Sequence, residues 1–353
     1  MGIMKKKATI QDIADALGIS RNTVSKAINN SEGLADATRE RILKKAIEMD
    51  YKQFSYVGGL LAASGTVQEV VRWPSYRGEI ALLTTAFLGQ SHFASLMMDK
   101  VQREFSQLGY TLNTHRVREE NLRDKTLPIT FRKDEVRAVI CVEMFDRAYD
   151  EMVCELDIPV LFVDGPAKRD GISLPVDQLY MDNTTEITRF IRTMLDQGIR
   201  RIGFIGNCDH CQSFYERYLA FRTAMLMADV PVDGRFIIRD SKPENLAETL
   251  RALPELPDLF LCANDFGAFD AIEALAALGK TVPDDVMLCG FDDCAESRTS
   301  RPPLTTIHIH TQVMAFAAVQ FIISRMKEPT LDYRTIHTQT DLIERESTNR
   351  KPL

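Results

Sequence analysis

Apolar and polar positions near the start of the chain repeat with helical spacing on both sides of Gly18, in the stretch "ATIQDIADALGISRNTVSKAINN" (8–30). Thr9, followed three residues later by Asp12, has the pattern of a capping box, and Ser20 can cap a second helix. A third amphipathic pattern follows in "DATRERILKKAIEMDY". Two helices that are joined by a glycine-containing turn and supported by a third predict a helix-turn-helix.

The longer remainder of the chain has a different pattern. From Glu79 onward, short apolar runs that end in Gly, Asn or Asp alternate with amphipathic helical patterns. The apolar runs are "EIALLTT", "VRAVICVEM", "IPVLFVD", "RRIGFIG", "LFLCAND" and "VMLCGFDD". This alternation predicts parallel sheets covered by helices, with ligands bound at the carboxyl ends of the strands. The segment is longer than one sheet needs, so we expect two lobes with a cleft.

Charge is distributed unevenly between these two parts. Residues 1–60 contain ten Lys or Arg and seven Asp or Glu, a net of +3, whereas the whole chain of 353 residues carries −7. The other 293 residues therefore carry −10. A small basic head on a large acidic body predicts that only the head approaches a polyanion.

Composition points to a cytoplasmic globular protein. Hydrophobic residues make up 45% and charged residues 26% of the chain, and no apolar run approaches the 18 residues of a membrane span. The first residues, "MGIMKKKATIQDIAD", lack the apolar stretch of a signal peptide. The cysteines are odd in number, seven, which favours reduced thiols over a disulfide framework. We therefore expect a cytoplasmic location and no membrane partner.

The outer face of the second predicted helix carries Arg21, Asn22, Ser25, Lys26 and Asn29. Amide, hydroxyl and cationic groups of this kind can read base edges in the major groove and hold phosphates. On pattern alone, a solvated face of a small helical bundle is equally consistent.

The N-terminal helical patterns resemble the sequence of a known family. "TIQDIADALGISRNTVSKAINN" is similar to the N-terminal signature of the LacI/GalR family of bacterial repressors, and "TRERILKKAIEMDY" resembles that family's third helix and the start of its hinge. The resemblance implies base contacts from Arg21, Asn22 and Lys26. It also implies phosphate contacts from Thr9, Ser20, Thr23, Ser25, Asn29 and Thr38.

Two features depart from the family pattern. Ala35 stands where the family usually has a serine cap for the third helix, and Gln53 and Phe54 replace the usual Pro-Asn pair of the hinge. The family's hinge helix would then lie in "FSYVGGLLAAS", with Leu60 inserted into the minor groove. Two consecutive glycines in this stretch would each weaken such a helix by about 1 kcal/mol relative to alanine.

The body resembles the same family from about Glu79 to Ser347, and the resemblance implies a periplasmic-binding-protein fold in which the chain crosses three times between two lobes. It places four polar residues around a small-molecule effector: Asp164, Arg217, Asn264 and Asp292. Phe93 and Ile309 complete the predicted effector-binding set. Carboxylates, an amide and a guanidinium suit a polyhydroxylated ligand, so we expect a sugar or a sugar phosphate. These side chains could also simply cap strand ends and helix starts.

Three further motifs suggest other chemistry. "CDHC" (208–211) has redox or half-zinc spacing, but a second pair that could complete a zinc site is absent from the sequence. "HIH" places His308 and His310 on one face of a strand without an evident third ligand. "ALAALGKT" (274–281) lacks the leading glycine of a P-loop and fits the end of a helix. We expect neither a metal nor a cofactor, and no enzyme activity.

The sequence as a whole predicts an α/β protein, with an N-terminal all-α helix-turn-helix head and a two-lobed periplasmic-binding-protein-like effector domain with parallel sheets. The predicted division is a DNA-binding head at 1–53, a hinge and linker at 54–78, and an effector-binding and dimerisation domain at 79–348. Lobe 1 is expected at about 79–177 and 308–338, and lobe 2 at about 178–307 and 339–348. The expected function is a homodimeric regulator, more specifically a repressor, of a carbohydrate-utilisation operon, with operator DNA and a sugar-like effector as partners. The alternatives are a cytosolic sugar-binding protein with degenerate DNA binding and an α/β enzyme with a DNA-binding head.

Overall fold

The computed structural model describes residues 9–28, 34–35, 38, 41–42, 45–46, 49, 76–85, 92–168, 170–240 and 243–350. The chain divides into two compact units, Met1–Arg72 and Trp73–Leu353. The predicted hinge, with Leu60, lies outside the described residues, and so does Asn29.

The first unit contains the predicted helix pair, α1 (Ile10–Leu17) and α2 (Arg21–Ile28). Thr9 and Asp12 form the predicted capping box, and Gly18 ends α1 in the left-handed region at φ 64°. Six side chains, each at most 2% exposed, form a small core: Ile13, Ala14, Val24, Ala27, Ile42 and Ala46. The last two come from the segment of the predicted third helix, so this segment supports the pair as expected.

The second unit contains two parallel sheets. The first has the strand order β11-β5-β4-β3-β1-β2, all parallel. Its strands are β1 (Gly78–Thr84), β2 (Tyr110–Arg116), β3 (Val136–Val142), β4 (Val160–Val163), β5 (Asp177–Met181) and β11 (Thr335–Thr338). The helices between them are α3 (His92–Gln107), α4 (Glu119–Asp124) and α5 (Arg147–Cys154). β1, β4 and β5 are buried along their whole length, as expected for strands covered on both faces.

The second sheet has the order β7-β6-β8-β9, again parallel. Its strands are β6 (Ile202–Ile205), β7 (Ile237–Ile238), β8 (Leu259–Cys262) and β9 (Met287–Cys289). The helices of this lobe are α6 (Thr185–Asp196), α7 (Gln212–Met227), α8 (Pro243–Ala252) and α9 (Asp265–Ala277). All six strands predicted from the apolar runs are therefore present, and helices alternate with them as expected.

The chain passes between the two sheets three times. It leaves the first sheet after β5, and β10 (Thr306–Ile309) leads back to α10 (Thr311–Lys327), which packs on β3, β4 and β5. After β11 it leaves again as β12 (Thr340–Ile343), which pairs antiparallel with β10. The first sheet includes all of β5, so the chain stays in this sheet up to Met181 before it first crosses to the second sheet. None of the helices in the described ranges combines the length and the apolar character that a membrane crossing requires.

Candidate functional site

The outer face of α2 is the first candidate site. Val24 and Ala27 turn inward and are at most 2% exposed, whereas Arg21, Asn22 and Lys26 are exposed. The first turn is fixed locally, because the backbone N–H of Thr23 donates to the Ser20 hydroxyl at 3.1 Å and the two hydroxyls lie 2.8 Å apart. The three predicted base-contacting side chains therefore share one solvent-facing surface on a capped helix.

The predicted phosphate contacts are placed less uniformly. Thr9 and Ser20 are exposed at the starts of α1 and α2, while Thr23, Ser25 and Thr38 are partly buried. Helix starts present backbone N–H groups, and these positions therefore suit a DNA phosphate. Their contact with DNA stays a prediction.

The second candidate site lies where the strands of the two lobes end. Asp164 follows β4 of the first sheet, and its Oδ1 accepts the N–H of Gly165 at 2.8 Å and of Ser213, on α7, at 3.2 Å. Burial raises the pKa of Asp164, and the bonds from Gly165 and Ser213 oppose that rise only in part. This carboxylate of lobe 1 thus contacts the first turn of a lobe 2 helix.

Arg217, also on α7, is 3% exposed and held on several sides. Its Nε donates to Asn183 Oδ1 at 2.9 Å and its Nη1 donates to the carbonyl oxygen of Ala263 at 2.6 Å. Nη1 also lies 3.7 Å from Asp292 Oδ1, and the guanidinium carbon lies 3.5 Å from the centre of the Phe291 ring. Because Asn183 is in the first crossing segment, Arg217 links the cleft to a connection between the lobes.

Asp292 follows β9 in an unusual backbone conformation, with φ 120°. Burial raises its pKa, nearby Asp265, Glu143 and Asp164 raise it further, and Arg217 opposes these effects without cancelling them. Glu143 and Asp164, at the ends of β3 and β4, also have positive φ values, of 56° and 61°. Non-glycine residues rarely adopt this region, and such strain is typical of functional sites.

The remaining three residues of the predicted effector set lie in different environments. Asn264 is the N-cap of α9, where its Oδ1 accepts the N–H of Gly267 at 2.9 Å. Ile309 is 1% exposed and packs in the main hydrophobic cluster. Phe93 lies in α3, but its side chain is outside the described residues. The structure therefore brings Asp164, Arg217 and Asp292 together, while Asn264 caps α9 and its role in effector binding stays a prediction.

Several residues around the cleft were not predicted. Glu143 is within electrostatic reach of Asp292, and Asn183 and Phe291 hold Arg217. The signal for Glu143 and Phe291 was present, because each lies at or next to the end of a strand in the predicted pattern. Asn183 gave a different signal, because it is the first residue of the helical pattern "NTTEITRFIRTMLDQG" and suggested only the start of a helix.

An aromatic contact also crosses the cleft. The ring of Phe145, which follows β3, lies 4.8 Å from the ring of His210, which follows β6, in an edge-to-face arrangement. His210 in turn lies 5.4 Å from Phe214 on α7. Burial lowers the pKa of His210, and Asp164 opposes that shift. The neutral imidazole therefore joins the two lobes at this point.

The structure shows where the three further motifs of the sequence lie. Cys208 and Cys211 are free thiols, each 3% exposed, and the stretch 274–281 contains the end of α9 rather than a loop that precedes a helix. His308 Nδ1 lies 3.0 Å from Asp293 and His310 Nε2 lies 2.9 Å from Asp341. Among the described residues, there is no cluster of three or more His, Cys, Asp or Glu side chains that could hold a metal ion.

Comparison with known proteins matches both units. Residues 9–53 match the family model of bacterial regulatory proteins, lacI family, and residues 191–348 match that of the periplasmic binding protein-like domain. The HTH-type transcriptional repressor PurR of Actinobacillus pleuropneumoniae serotype 3 (strain JL03) is 30% identical over 351 residues, which cover 96% of this chain and 98% of the relative.

Two solved structures share the fold. The complex of the transcriptional regulator CelR with cellobiose superimposes with a TM-score of 0.66 at 23% identity, and covers 96% of this chain and 99% of that one. The lac repressor dimer bound to operator and the anti-inducer ONPF gives a TM-score of 0.66 at 20% identity, with 97% and 99% coverage.

A helix-turn-helix unit, joined to a two-lobed domain of parallel sheets, defines a DNA-binding transcriptional regulator of the periplasmic-binding-protein-like type. The chain belongs to the LacI/GalR family of bacterial transcriptional regulators.

Proposed function

We propose that the protein represses a carbohydrate-utilisation operon and that a small sugar-like effector controls its binding to operator DNA. The observation that carries this proposal is the exposed set Arg21, Asn22 and Lys26 on α2, whose opposite face is buried. Side chains of these types read guanine and adenine edges in the major groove. Burying the other face keeps them in a fixed orientation for that purpose.

The cleft supports a polyhydroxylated effector. Asp164 and Asp292 can accept hydrogen bonds from sugar hydroxyls, and Arg217 lies between the segments that carry them. The regulator CelR, which has the same fold, was solved as a complex with cellobiose, and this supports a sugar as the class of effector. We infer that Asp164, Arg217, Asn264 and Asp292 bind the effector, and Phe93 and Ile309 shape its surroundings.

The domain division follows from this function. We infer a DNA-binding head at 1–53, a hinge and linker at 54–78, and an effector domain at 79–348 that dimerises. A dimer would place two heads on a near-palindromic operator. The lac repressor dimer bound to operator, again of the same fold, supports this arrangement. Binding to chromosomal DNA implies action in the cytoplasm.

We infer regulation without catalysis. Relatives of this chain are named as transcriptional regulators and repressors. In the cleft, Asp164 is engaged by backbone N–H groups and Asp292 lies beside Arg217, an arrangement that suits hydroxyl binding. A sugar-binding protein without operator recognition is the second candidate, and DNA binding separates the two.

The test is selection of bound fragments from a random duplex library by the full chain, followed by anisotropy titration of the selected site. Asn22→Ala should weaken binding to that site by about 1–3 kcal/mol and relax the preference at one base in each half-site. Lys133→Ala, which removes an exposed cation from the effector domain, is the control and should leave the affinity unchanged. Wild-type protein that enriches no sequence would favour the sugar-binding alternative.

A further inference from the structure

We propose that the cleft selects an uncharged polyhydroxylated ligand and excludes the phosphorylated form of the same sugar. This inference rests on the proposed function, because it specifies the ligand of the same site. The inference narrows the expected class of effector, which included both sugars and sugar phosphates, to uncharged sugars.

Carboxyl groups outnumber cations in the cleft. Glu143, Asp164 and Asp292 stand at the ends of three strands that meet at the cleft, and Glu143 and Asp164 are both within electrostatic reach of Asp292. The Nη1 atom of Arg217 lies 3.7 Å from Asp292 Oδ1. Lys168 is also within electrostatic reach of Asp164, but its Nζ already donates to Gln178 at 2.6 Å. Three carboxyl groups beside Arg217 and this engaged lysine leave little positive potential for an incoming phosphate.

Arg217 already donates hydrogen bonds to two protein groups. A phosphate binds arginine best through two parallel N–H bonds from one edge of the guanidinium. The edge formed by Nε and Nη2 is occupied, because Nε donates its single N–H to Asn183. The other edge, Nη1 with Nη2, is used in part, because Nη1 donates one of its two N–H groups to the carbonyl of Ala263. The ring of Phe291 covers one face of the group. An anion that makes a bidentate contact would have to displace Asn183 at the first edge or share Nη1 with the carbonyl of Ala263 at the second.

The carboxyl groups of the cleft also disfavour an anion. Burial and the neighbouring carboxylates raise the pKa of Asp292 even though Arg217 is adjacent. A phosphate dianion in the same space would either face ionised carboxylates or force protons onto them, and both outcomes cost binding free energy. Sugar hydroxyls have no such cost, because they donate to carboxylates and accept from protonated carboxyl groups.

The first experiment compares matched pairs of probes with the full chain by calorimetric titration and thermal shift. The pairs are glucose and glucose 6-phosphate, galactose and galactose 6-phosphate, ribose and ribose 5-phosphate, and cellobiose and cellobiose 6′-phosphate. For any pair that binds, we expect the uncharged member to bind at least about tenfold more tightly. A phosphorylated member that binds equally well or more tightly would overturn the inference.

Glu143→Gln tests the source of the selectivity, because it removes one charge at nearly constant volume. The ratio of the two dissociation constants within a pair should fall severalfold in this variant. Glu155→Gln, an exposed site at the end of α5, is the matched control and should keep the wild-type ratio. An unchanged ratio in Glu143→Gln would show that charge does not set the preference.

A second arm uses inorganic phosphate and does not depend on finding the sugar. At constant ionic strength, phosphate should shift the melting temperature of wild-type protein and of Arg217→Gln equally, because any binding at the DNA-binding head is common to both. Stabilisation that appears only in wild type would place phosphate at Arg217 and overturn the inference. Asp292→Asn gives an independent comparison that leaves Arg217 intact: phosphate should stabilise this variant more than wild type, and an equal response contradicts the proposal.

These experiments distinguish failure of the proposed sugar effector from failure of the proposed exclusion of phosphate. If no member of any pair binds and phosphate fails to distinguish wild type from Arg217→Gln, the proposed sugar effector is wrong while the exclusion of anions stands. If a phosphorylated sugar binds more tightly than its partner, the regulator function stands and the present inference fails.

Discussion

At the scale of single residues, Asp150 on α5 is a buried acid without compensation. It is 0% exposed, and neither of its carboxylate oxygens has a hydrogen-bond partner among the described residues. Burial raises its pKa to about 8, with further contributions from Asp146 and Glu151. The carboxyl group is therefore held in its neutral form under the first sheet, where an ionised form would be costly.

The pH dependence of stability follows from this shift. Because the folded state holds the proton up to about pH 8 and the unfolded state releases it near the ordinary value of 3.8, the folded state binds more protons between these pH values. The free energy of unfolding should then fall as pH rises through this window, by up to about 1.4 kcal/mol for each unit that separates the two pKa values.

The measurement is denaturant unfolding at pH 5, 6, 7 and 8. Asp150→Asn, which mimics the neutral acid, should lose less stability than wild type between pH 5 and pH 8. Asp134→Asn, at an exposed position of the same lobe, should follow the wild-type curve. Parallel curves for wild type and Asp150→Asn would refute this account of Asp150.

Asp177 is the opposite case, a buried carboxylate with full compensation. Its two oxygens accept Nε and Nη2 of Arg325 at 3.0 and 2.8 Å, and the N–H of Arg334 at 2.9 Å. Arg325 also donates to the carbonyl oxygens of Pro329 and Asp332, so the group ties α10 and the following loop to β5. The side chains of Arg325 and Arg334 lower the pKa of Asp177 against the effect of burial.

Asp177→Ala should destabilise the effector domain by about 3–5 kcal/mol, because it leaves the Arg325 charge buried without a partner. Urea unfolding, monitored by circular dichroism, measures this loss. Asp99→Ala removes the partner of Arg103 in an exposed pair and should cost at most about 1 kcal/mol. Similar losses for the two variants would contradict the role assigned to Asp177.

At the scale of elements, the sequence predicted those that form from local signals. The capping box at Thr9, the stop at Gly18 and the six apolar strands depend on neighbours within a few residues, and all are present. β5 was missed because its sequence, "DQLYM", begins with Asp177 and Gln178, whose burial depends on partners far along the chain. β11, an edge strand of four mostly exposed residues, has no apolar run to reveal it.

The same distinction applies to the cleft. Family resemblance placed Asp164, Arg217, Asn264 and Asp292 around the effector. The contact between Phe145 and His210 could not, because it depends on how closely two lobes approach and each ring belongs to a different loop. The hydrogen bonds from Arg217 to Asn183 and to Ala263 could not be predicted for the same reason.

Asn264 links an element to the site, because one side chain both caps α9 and is proposed to bind the effector. Asn264→Ser should retain the cap and the stability of the domain, whereas Asn264→Ala should lose about 1 kcal/mol. Both variants should weaken binding of the sugar that the titrations select, because neither supplies the amide. Thermal melts and calorimetric titration separate the two effects, and a Ser variant with wild-type affinity would show that Asn264 acts only as a cap.

At the scale of the whole molecule, the effector must alter the relation between the lobes to control DNA binding. The cleft residues come from both lobes, and Arg217 is bonded to Asn183 in a crossing segment. The antiparallel pair of β10 and β12 forms the other two connections. A ligand that bridges Asp164 and Asp292 would favour one relative position of the lobes, and a dimer of effector domains would pass that position to the two heads.

We therefore predict induction, in which the effector weakens operator binding by about 1–3 kcal/mol and operator DNA weakens effector binding by the same factor. The most direct test of this central claim is the affinity of the full chain for its selected operator, measured by anisotropy with and without a saturating concentration of the sugar that binds. Wild-type affinity should fall with the sugar, while Arg217→Gln should bind operator as tightly as wild type and show no response. Operator binding that is unchanged or tightened by the sugar in wild-type protein would contradict the account.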